Sequence, residues 1–375
     1  MVGYYNVSFG HQISTTDHIS RLVFPDRVSI IHLHHPKRNK ALTKCWKNVD
    51  VFTAYGLGYK FPLLDERVLS SLVKIVSIFY PKFVYVDARH LVYRTLSQSP
   101  KKLKVGSEKA STLSDTPVDH TGLKFLYDNE IGEGPCLPSE LKQSVESELK
   151  QMYPTFFDKP FVCLHLRGKG GEGFSSAVRN PGDHSTYVDA VTYLVKEGFH
   201  VLGAGECNHE TFESIEGYFP LPKVKHQEAL NLYSLMYPAL FVGQQSGPLL
   251  IPGSVNVPSV ITENFPYRVG TLRSRDVVLF KPIYIDGELV SPKVIFETYP
   301  ELAFGGGFSA LNATVGVNER DDITAVVKEG VERLIKGVEY TEEEQSRVND
   351  FKALYRPDMP IYTYQNPPAL CQVSK

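Results

Sequence analysis

Residues 161–173 read FVCLHLRGKGGEG. An apolar run, Phe161–Leu166, ends on Arg167 and then on a cluster of glycines. A short apolar run closed by glycine predicts a strand buried on both faces, as in a parallel sheet. The same punctuation recurs downstream. Phe199–Leu202 (FHVL) runs into Gly203-Ala204-Gly205, and Ala239–Val242 (ALFV) into Gly243-Gln244-Gln245-Ser246-Gly247-Pro248. Pro258–Ile261 (PSVI) runs into Thr262-Glu263-Asn264-Phe265-Pro266. Helical patterns fall between these runs, at Asp183–Glu197, at Ala229–Met236 and in a short helix starting at Ser246. Asp183 suits the N-cap of the first and Gly198 its stop. A late helix is expected over Asp321–Leu334. Strands alternating with helices predict an α/β fold built on parallel sheets.

The first part of the chain repeats the pattern. Tyr4–Phe9 and Arg27–His34 read as strands, with a helix over about 11–23 between them. Helices are expected over 39–48 and 66–80, and a strand over Phe83–Val86. Residues 97–138 lack periodicity and read as a long loop or insertion. Leu141–Met152 reads as a helix leading toward a second domain. These boundaries give an N-terminal domain over 1–155, a C-terminal domain over 156–340, and a closing helix and tail over 341–375 expected to pack across the junction.

The chain has 375 residues, 40 Lys+Arg against 42 Asp+Glu and a formal net charge of −2. That length suits two domains with their own cores. The charge balance argues against general binding to nucleic-acid backbones, which wants a basic excess. No run approaches the ~18 apolar residues of a membrane span. The N-terminus lacks the basic and apolar regions of a signal peptide. The expectation is a cytoplasmic protein, compatible with peripheral attachment to a membrane. Five scattered cysteines without a paired-cysteine motif read as free thiols.

In open parallel sheets, ligands bind beyond the carboxyl ends of the strands. Ser246-Gly247, where a strand turns into a helix, reads either as an anion pocket or as a tight turn capped by serine. Arg167 reads as a phosphate clamp at the mouth of the sheet, or as a surface arginine paired locally. His165, inside its strand, is a structural histidine or a ligand contact. Arg179-Asn180 and Asp183-His184 form a segment able to fold over a nucleotide, although Asp183 suits a cap better than a base. His11 follows the first strand through Gly10 and is a candidate general base, with Asp17 a candidate to orient it. The alternatives are a packed His11 and a solvated Asp17. His32 and His34 in HLHHP share a strand face, but no further ligand completes a metal set, so no metal is expected. The glycine loop lacks the Gly-Lys-Ser/Thr of a phosphate-binding P-loop.

Four stretches carry a resemblance: FVCLHLRGKGGEGFSSAVRNPGDHSTYVDAVTYLVKEGFHVLGAGE, LFVGQQSGPLLIPGSVNVPSVITENFP, the opening YYNVSFGHQISTTDHISRLV and the closing GVNERDDITAVVKEGVERL. They resemble GT-B glycosyltransferases, in particular a bacterial group distantly similar to the O-fucosyltransferases and α1,6-fucosyltransferases. The resemblance implies two Rossmann-like domains facing across a cleft, with a nucleotide sugar held mainly by the C-terminal one. It carries the diphosphate-binding arginine of a His-x-Arg pattern onto Arg167, with His165 beside it. It matches Ser246-Gly247 to the serine-glycine phosphate turn of such enzymes. The sequence departs at Gly168-Lys169-Gly170, where that pattern has a further Arg and Asp.

These readings lead to a metal-independent glycosyltransferase that needs no cofactor, takes a nucleotide-diphospho-sugar as donor and serves surface polysaccharide synthesis. Its acceptor would be a glycan or glycoconjugate hydroxyl. Donor contacts are expected from His165, Lys169, Arg179, Gly203, Gly205, Gln245, Ser246, Gly247, Glu263 and Asn264. Arg167 would stabilise the leaving diphosphate and His11 would deprotonate the acceptor. A nucleotide-sugar epimerase of the same fold and a non-catalytic carbohydrate- or nucleotide-binding module are the alternatives.

Overall fold

The computed structural model describes residues 2–5, 13, 16–17, 20–21, 25, 27–33, 41–54, 127, 129–130, 132–168, 182–265, 267, 273, 275–303, 306–354 and 369–373. The chain divides into two compact units, Met1–Ser139 and Glu140–Lys375.

In the first unit, β1 (Val2–Tyr5), β2 (Val28–Leu33) and β3 (Val49–Ala54) pair in parallel in that order. The expected helix after the first strand is seen at Ile13, Thr16, Asp17, Ser20 and Arg21, which are helical and all buried. Their three- and four-residue steps put them on one face. Asp17 is buried rather than solvated. Its two oxygens accept from Arg21 Nε and Trp46 Nε1, each at 2.9 Å. The helix expected over 39–48 is a single 3-10 turn, Leu42–Lys44, and β3 follows it directly. The run VDVFTA is rich in β-branched and aromatic residues, which favours that strand. The expected elements at 66–80 and 83–86, most of the loop over 97–138, and His34 lie outside the described residues.

The second unit opens with α1 (Ser139–Met152), whose Val145 and Leu149, one turn apart, are buried. Its sheet contains β4 (Phe161–Leu166), β5 (His200–Gly205), β6 (Tyr218–Pro220), β7 (Leu240–Gln244), β8 (Ser259–Asn264) and β9 (Val277–Phe280). Every neighbouring pair is parallel, and the order is β6-β5-β4-β7-β8-β9. Numbered from β4, this is the 3-2-1-4-5-6 order of doubly wound nucleotide-binding sheets. The expected α/β fold with a parallel sheet is therefore present.

Helices cover both faces. α2 (Val188–Lys196) joins β4 to β5. The Asp183 carboxylate caps the turn before it, accepting from Ser185 N at 3.0 Å. Gly198 stops the helix at φ +92°. α3 (Gln227–Met236) precedes β7, and α4 (Leu250–Ser254) joins β7 to β8. After α5 (Pro292–Thr298), α6 (Arg320–Gly330) continues through a π turn over Val331–Ile335. On one face, Val162, Leu164 and Leu166 join Val201, Val242 and Val260 against residues of α2 and α6. On the other, Tyr233 of α3 stacks on Phe161 with ring centroids 6.0 Å apart.

The apolar runs locate the strands, but the strand ends differ from expectation. β5 and β8 extend through Gly205 and Asn264, so residues expected in loops lie within the sheet. β6, β9 and a small antiparallel sheet of β10 (Ile283–Ile285), β11 (Glu288–Val290) and β12 (Ala313–Val315) were not foreseen. Strands of three or four residues are too short for periodicity to reveal. The closing helix, α7 (Glu342–Lys352), starts in a capping box formed by Thr341 and Glu344. It packs on the second unit through Phe351, whose ring lies 5.9 Å from Phe280 and 5.8 Å from Phe296. Leu370, in the last turn of helix (α8, Leu370–Val373), donates its N–H to Glu329 Oε2 at 2.8 Å. No helix among the described residues is long and apolar enough to cross a membrane.

Candidate functional site

β4 and β7 are neighbours, yet the chain leaves β4 toward one edge of the sheet and β7 toward the other. This reversal opens a crevice at their carboxyl ends, the place where such sheets take ligands. Arg167 emerges there from β4, and Gln245-Ser246-Gly247 emerges from β7.

The main chain of Arg167 is held from both sides. Its N–H donates to Gln244 Oε1 at 2.8 Å, and its C=O faces His184 Nε2 at 2.9 Å. The N–H of Asn208 points at His184 Nδ1 at 2.9 Å. Nδ1 must therefore be the acceptor, which puts the ring hydrogen on Nε2, where it donates to Arg167 O. The Arg167 guanidinium donates from Nη1 to Gln245 O at 3.3 Å. Gln244 is held in turn by a buried chain of donors. Its Nε2 donates to Tyr187 OH at 3.2 Å, Tyr187 OH bonds Thr262 Oγ1 at 2.7 Å, and Thr262 Oγ1 donates to Gly243 O at 3.3 Å.

His165 lies buried at the end of β4, its ring 6.2 Å from that of Phe241. Burial, reinforced by the nearby Arg167 charge, lowers its pKa to about 4, so it is neutral at working pH. Its Nδ1 has no hydrogen-bond partner among the described residues. Ser246 is the N-cap residue of the 3-10 turn Gly247–Leu249, but its hydroxyl makes no capping bond and has no partner there either. Asn264 is fully buried at the end of β8, and neither its amide oxygen nor its amide nitrogen has a partner among the described residues. Buried polar groups are almost always satisfied, so these atoms at the carboxyl ends of β4, β7 and β8 leave hydrogen-bonding capacity open to water or a ligand.

The remaining expected residues divide. Both oxygens of Glu263 are taken inside the fold: Oε1 accepts from Asn318 N at 2.8 Å, and Oε2 pairs with buried Lys281 Nζ at 3.1 Å. Its backbone sits at φ +52°, and its N–H donates to Asn318 Oδ1 at 2.7 Å. Burial raises its pKa, opposed by Lys281 and by the Asn318 N–H. The structure thus gives Glu263 an internal, organising position. At Gly203 a Cβ would lie 2.0 Å from Tyr218 OH, so the glycine makes room for that ring. Gly205 turns the chain out of β5 at φ +79°, where a Cβ would lie 2.3 Å from Leu166 O. His11, Lys169 and Arg179 lie outside the described residues. Sequence reasoning left Gln244, Tyr187, Thr262, Lys281 and Asn318 without roles. No motif marks them, because their parts come from pairing across strands.

No family model matches the chain, and no curated protein matches it. Among solved structures it is similar to a glycosyl transferase family 9 protein from Veillonella parvula, at 11% identity over 89% of this chain and 94% of that one, with a TM-score of 0.46. It is also similar to E. coli ADP-heptose lps heptosyltransferase II, at 11% identity over 69% and 83%, with a TM-score of 0.41. A UDP-GlcNAc 2-epimerase from Neisseria meningitidis, bound to UDP-GlcNAc, is similar at 13% identity over 89% and 99%, with a TM-score of 0.34. At these identities and scores the likenesses carry no argument about chemistry.

Proposed function

We propose that this chain is a glycosyltransferase of the GT-B type, moving a sugar from a nucleotide-diphospho-sugar to a hydroxyl of a glycan or glycoconjugate. The observation that carries this reading is Arg167, held by its main chain at the switch point of a 3-2-1-4-5-6 sheet beside unsatisfied polar atoms of His165, Ser246 and Asn264. In the reaction, the acceptor oxygen bonds to the anomeric carbon of the donor sugar as the bond from that carbon to the diphosphate breaks. The acceptor proton passes to a base, assigned from the sequence to His11. The charge appearing on the diphosphate is met by the Arg167 guanidinium, with Lys169 and Arg179 as sequence-assigned helpers. Ser246 Oγ and the Gly247 main chain complete the anion side, and Asn264 contacts the remainder of the donor. Fixed donors aimed at the leaving charge take the part a metal ion would otherwise play. The location proposed is cytoplasmic, in surface polysaccharide synthesis.

The test is a thermal-shift screen against nucleotides and nucleotide sugars, with and without EDTA. Ligand at ~100 Kd adds about 2.7 kcal/mol of apparent stability. A shift with one nucleotide family, unchanged by EDTA, followed by sugar transfer to an added acceptor, supports the reading. Conversion of the donor without any acceptor identifies an epimerase instead. Failure of every nucleotide to shift the melting temperature overturns the proposal.

A further inference from the structure

Cys45 and Cys136 are far apart along the chain and meet in the first unit. The Cys136 N–H donates to Cys45 O at 2.8 Å. In strand pairs such bonding sets the Cα atoms about 5.5 Å apart, inside the ~4.4–6.8 Å that disulfides span. The contact is held from both sides. Cys45 closes the 3-10 turn Leu42–Lys44, its N–H donating to Leu42 O at 3.1 Å. Just before Cys136, Gly132 O accepts from Arg21 Nη1 at 3.3 Å, and the Glu133 carboxylate pairs with Lys47 Nζ at 3.1 Å. Just after it, Leu137 is buried. These contacts fix the main chain at each cysteine and keep the two side chains neighbours. Both thiols are free. Among the described residues, no other two cysteines share a main-chain hydrogen bond.

The two thiols differ in access. Cys136 is partly exposed, whereas Cys45 is 1% exposed and its Sγ donates to Ala41 O at 3.4 Å. Burial, with the nearby Cys136 thiol adding to it, pushes the Cys45 pKa up to about 12. Cys136 is therefore the thiol that meets a reagent from solution, and Cys45 waits beneath it. We propose that Cys136 and Cys45 form a thiol-oxidation site, closed to a disulfide by a low-molecular-weight disulfide such as glutathione disulfide. The Cys136 thiolate attacks one sulfur of the small disulfide and expels the other as a thiolate. The Cys45 sulfur then attacks Cys136 Sγ in the mixed disulfide and expels the second thiolate. The two expelled thiolates take up the protons that the cysteines release. The protein thiols are oxidised, and the small disulfide is reduced to two thiols. The new bond ties the segment entering α1 to the turn before β3. This inference goes beyond the nucleotide-sugar reading and does not depend on it.

The experiment incubates the full chain with glutathione disulfide under native conditions, then denatures and alkylates it. Intact mass and peptide mapping without reduction read the result. Wild type is expected to fall from five alkylatable thiols to three, with one cross-linked peptide pair joining Cys45 to Cys136. Dithiothreitol is expected to restore all five. Cys45→Ala is expected to stop with one glutathione held on Cys136, because the resolving thiol is gone. Cys136→Ser, at a partly exposed position that accepts a polar side chain, is expected to keep all of its thiols over the same exposure. The mapping in wild type decides the matter even where a variant fails to fold. Persistence of all five thiols in wild type, a link between any other cysteines, or glutathione retained on wild-type Cys136 overturns the inference. So does a thiol loss in folded Cys136→Ser equal to that of wild type. Each of these results leaves the donor-site reading standing, since that reading is tested by nucleotide binding.

Discussion

Gln244 Oε1 accepts the backbone N–H of Arg167 at 2.8 Å, joining the carboxyl ends of the two strands at which the sheet reverses its order. The bond sets where the arginine leaves the sheet. Arg167 itself is partly buried at the crevice, its guanidinium donating to Gln245 O.

Removing the guanidinium should therefore separate function from folding. Arg167→Ala is expected to lower transfer by ~10²–10³, the loss typical of removing one donor to a developing oxyanion. Its denaturation midpoint should stay close to wild type, within about 0.5 kcal/mol. Near-normal turnover in the folded variant would remove Arg167 from the proposed mechanism.

Gln244→Leu keeps the volume and removes both amide ends. It leaves the N–H of Arg167 without its partner and takes a donor from Tyr187 OH. A loss of about 1–3 kcal/mol in denaturant unfolding is expected, together with a fall in turnover while Arg167 is still present. A variant as stable and active as wild type would show that the tether positions nothing.

His165 gives the protein a pH dependence with a defined sign. Its folded-state pKa is about 4, below the ~6.5 of an unfolded chain. Between those values the unfolded chain binds a proton that the folded chain refuses. Stability attributable to His165 is therefore complete above pH ~6.5 and is lost as pH falls toward ~4, by up to about 3 kcal/mol. His165→Gln should flatten the stability profile across that window. An unchanged slope in urea titrations from pH 7 to pH 4 would contradict the assignment.

Gly330 lets α6 lie on β8. A Cβ there would be 2.1 Å from Val260 Cγ2 in the buried core. Gly330→Ala is expected to destabilise by about 1–3 kcal/mol through overpacking. In the double variant with Val260→Ala the two losses should fall short of their sum, because the second change vacates the contested space. Simple additivity would show that the helix shifts rather than clashes.

Lys281→Met leaves the Glu263 carboxylate buried without its cation. A loss of about 3–5 kcal/mol is expected, partly recovered by adding Glu263→Gln. Calorimetric melting of the three variants measures both effects. No recovery would mean that Lys281 stabilises the fold by some route other than this pair.

Some of this could be read along the chain. Phe161–Leu166 announces a strand because both faces of a parallel sheet are buried, which leaves an unbroken apolar run. Asp183 and Gly198 announce the ends of a helical segment because capping and left-handed backbone are local needs. Other features gave no such sign. Asp17 looks like any helical carboxylate until Trp46, 29 residues on, is found donating to it. Glu263 looks like a loop residue facing a ligand until Lys281 and Asn318 are seen closing on it.

The sequence by itself determined the alternation of strands and helices, the α/β class and the placing of a charge or a glycine just beyond each apolar run. These follow from burial periodicity and backbone preference, which act over a few residues. Only the tertiary structure decided the order β6-β5-β4-β7-β8-β9, and with it which strand ends share a crevice. Arg167 and Gln244 are 77 residues apart, and so are joined by strand pairing alone. Hydrogen bonds reach about 3 Å, so partners are chosen by how the sheet brings strand ends together and not by their spacing along the chain.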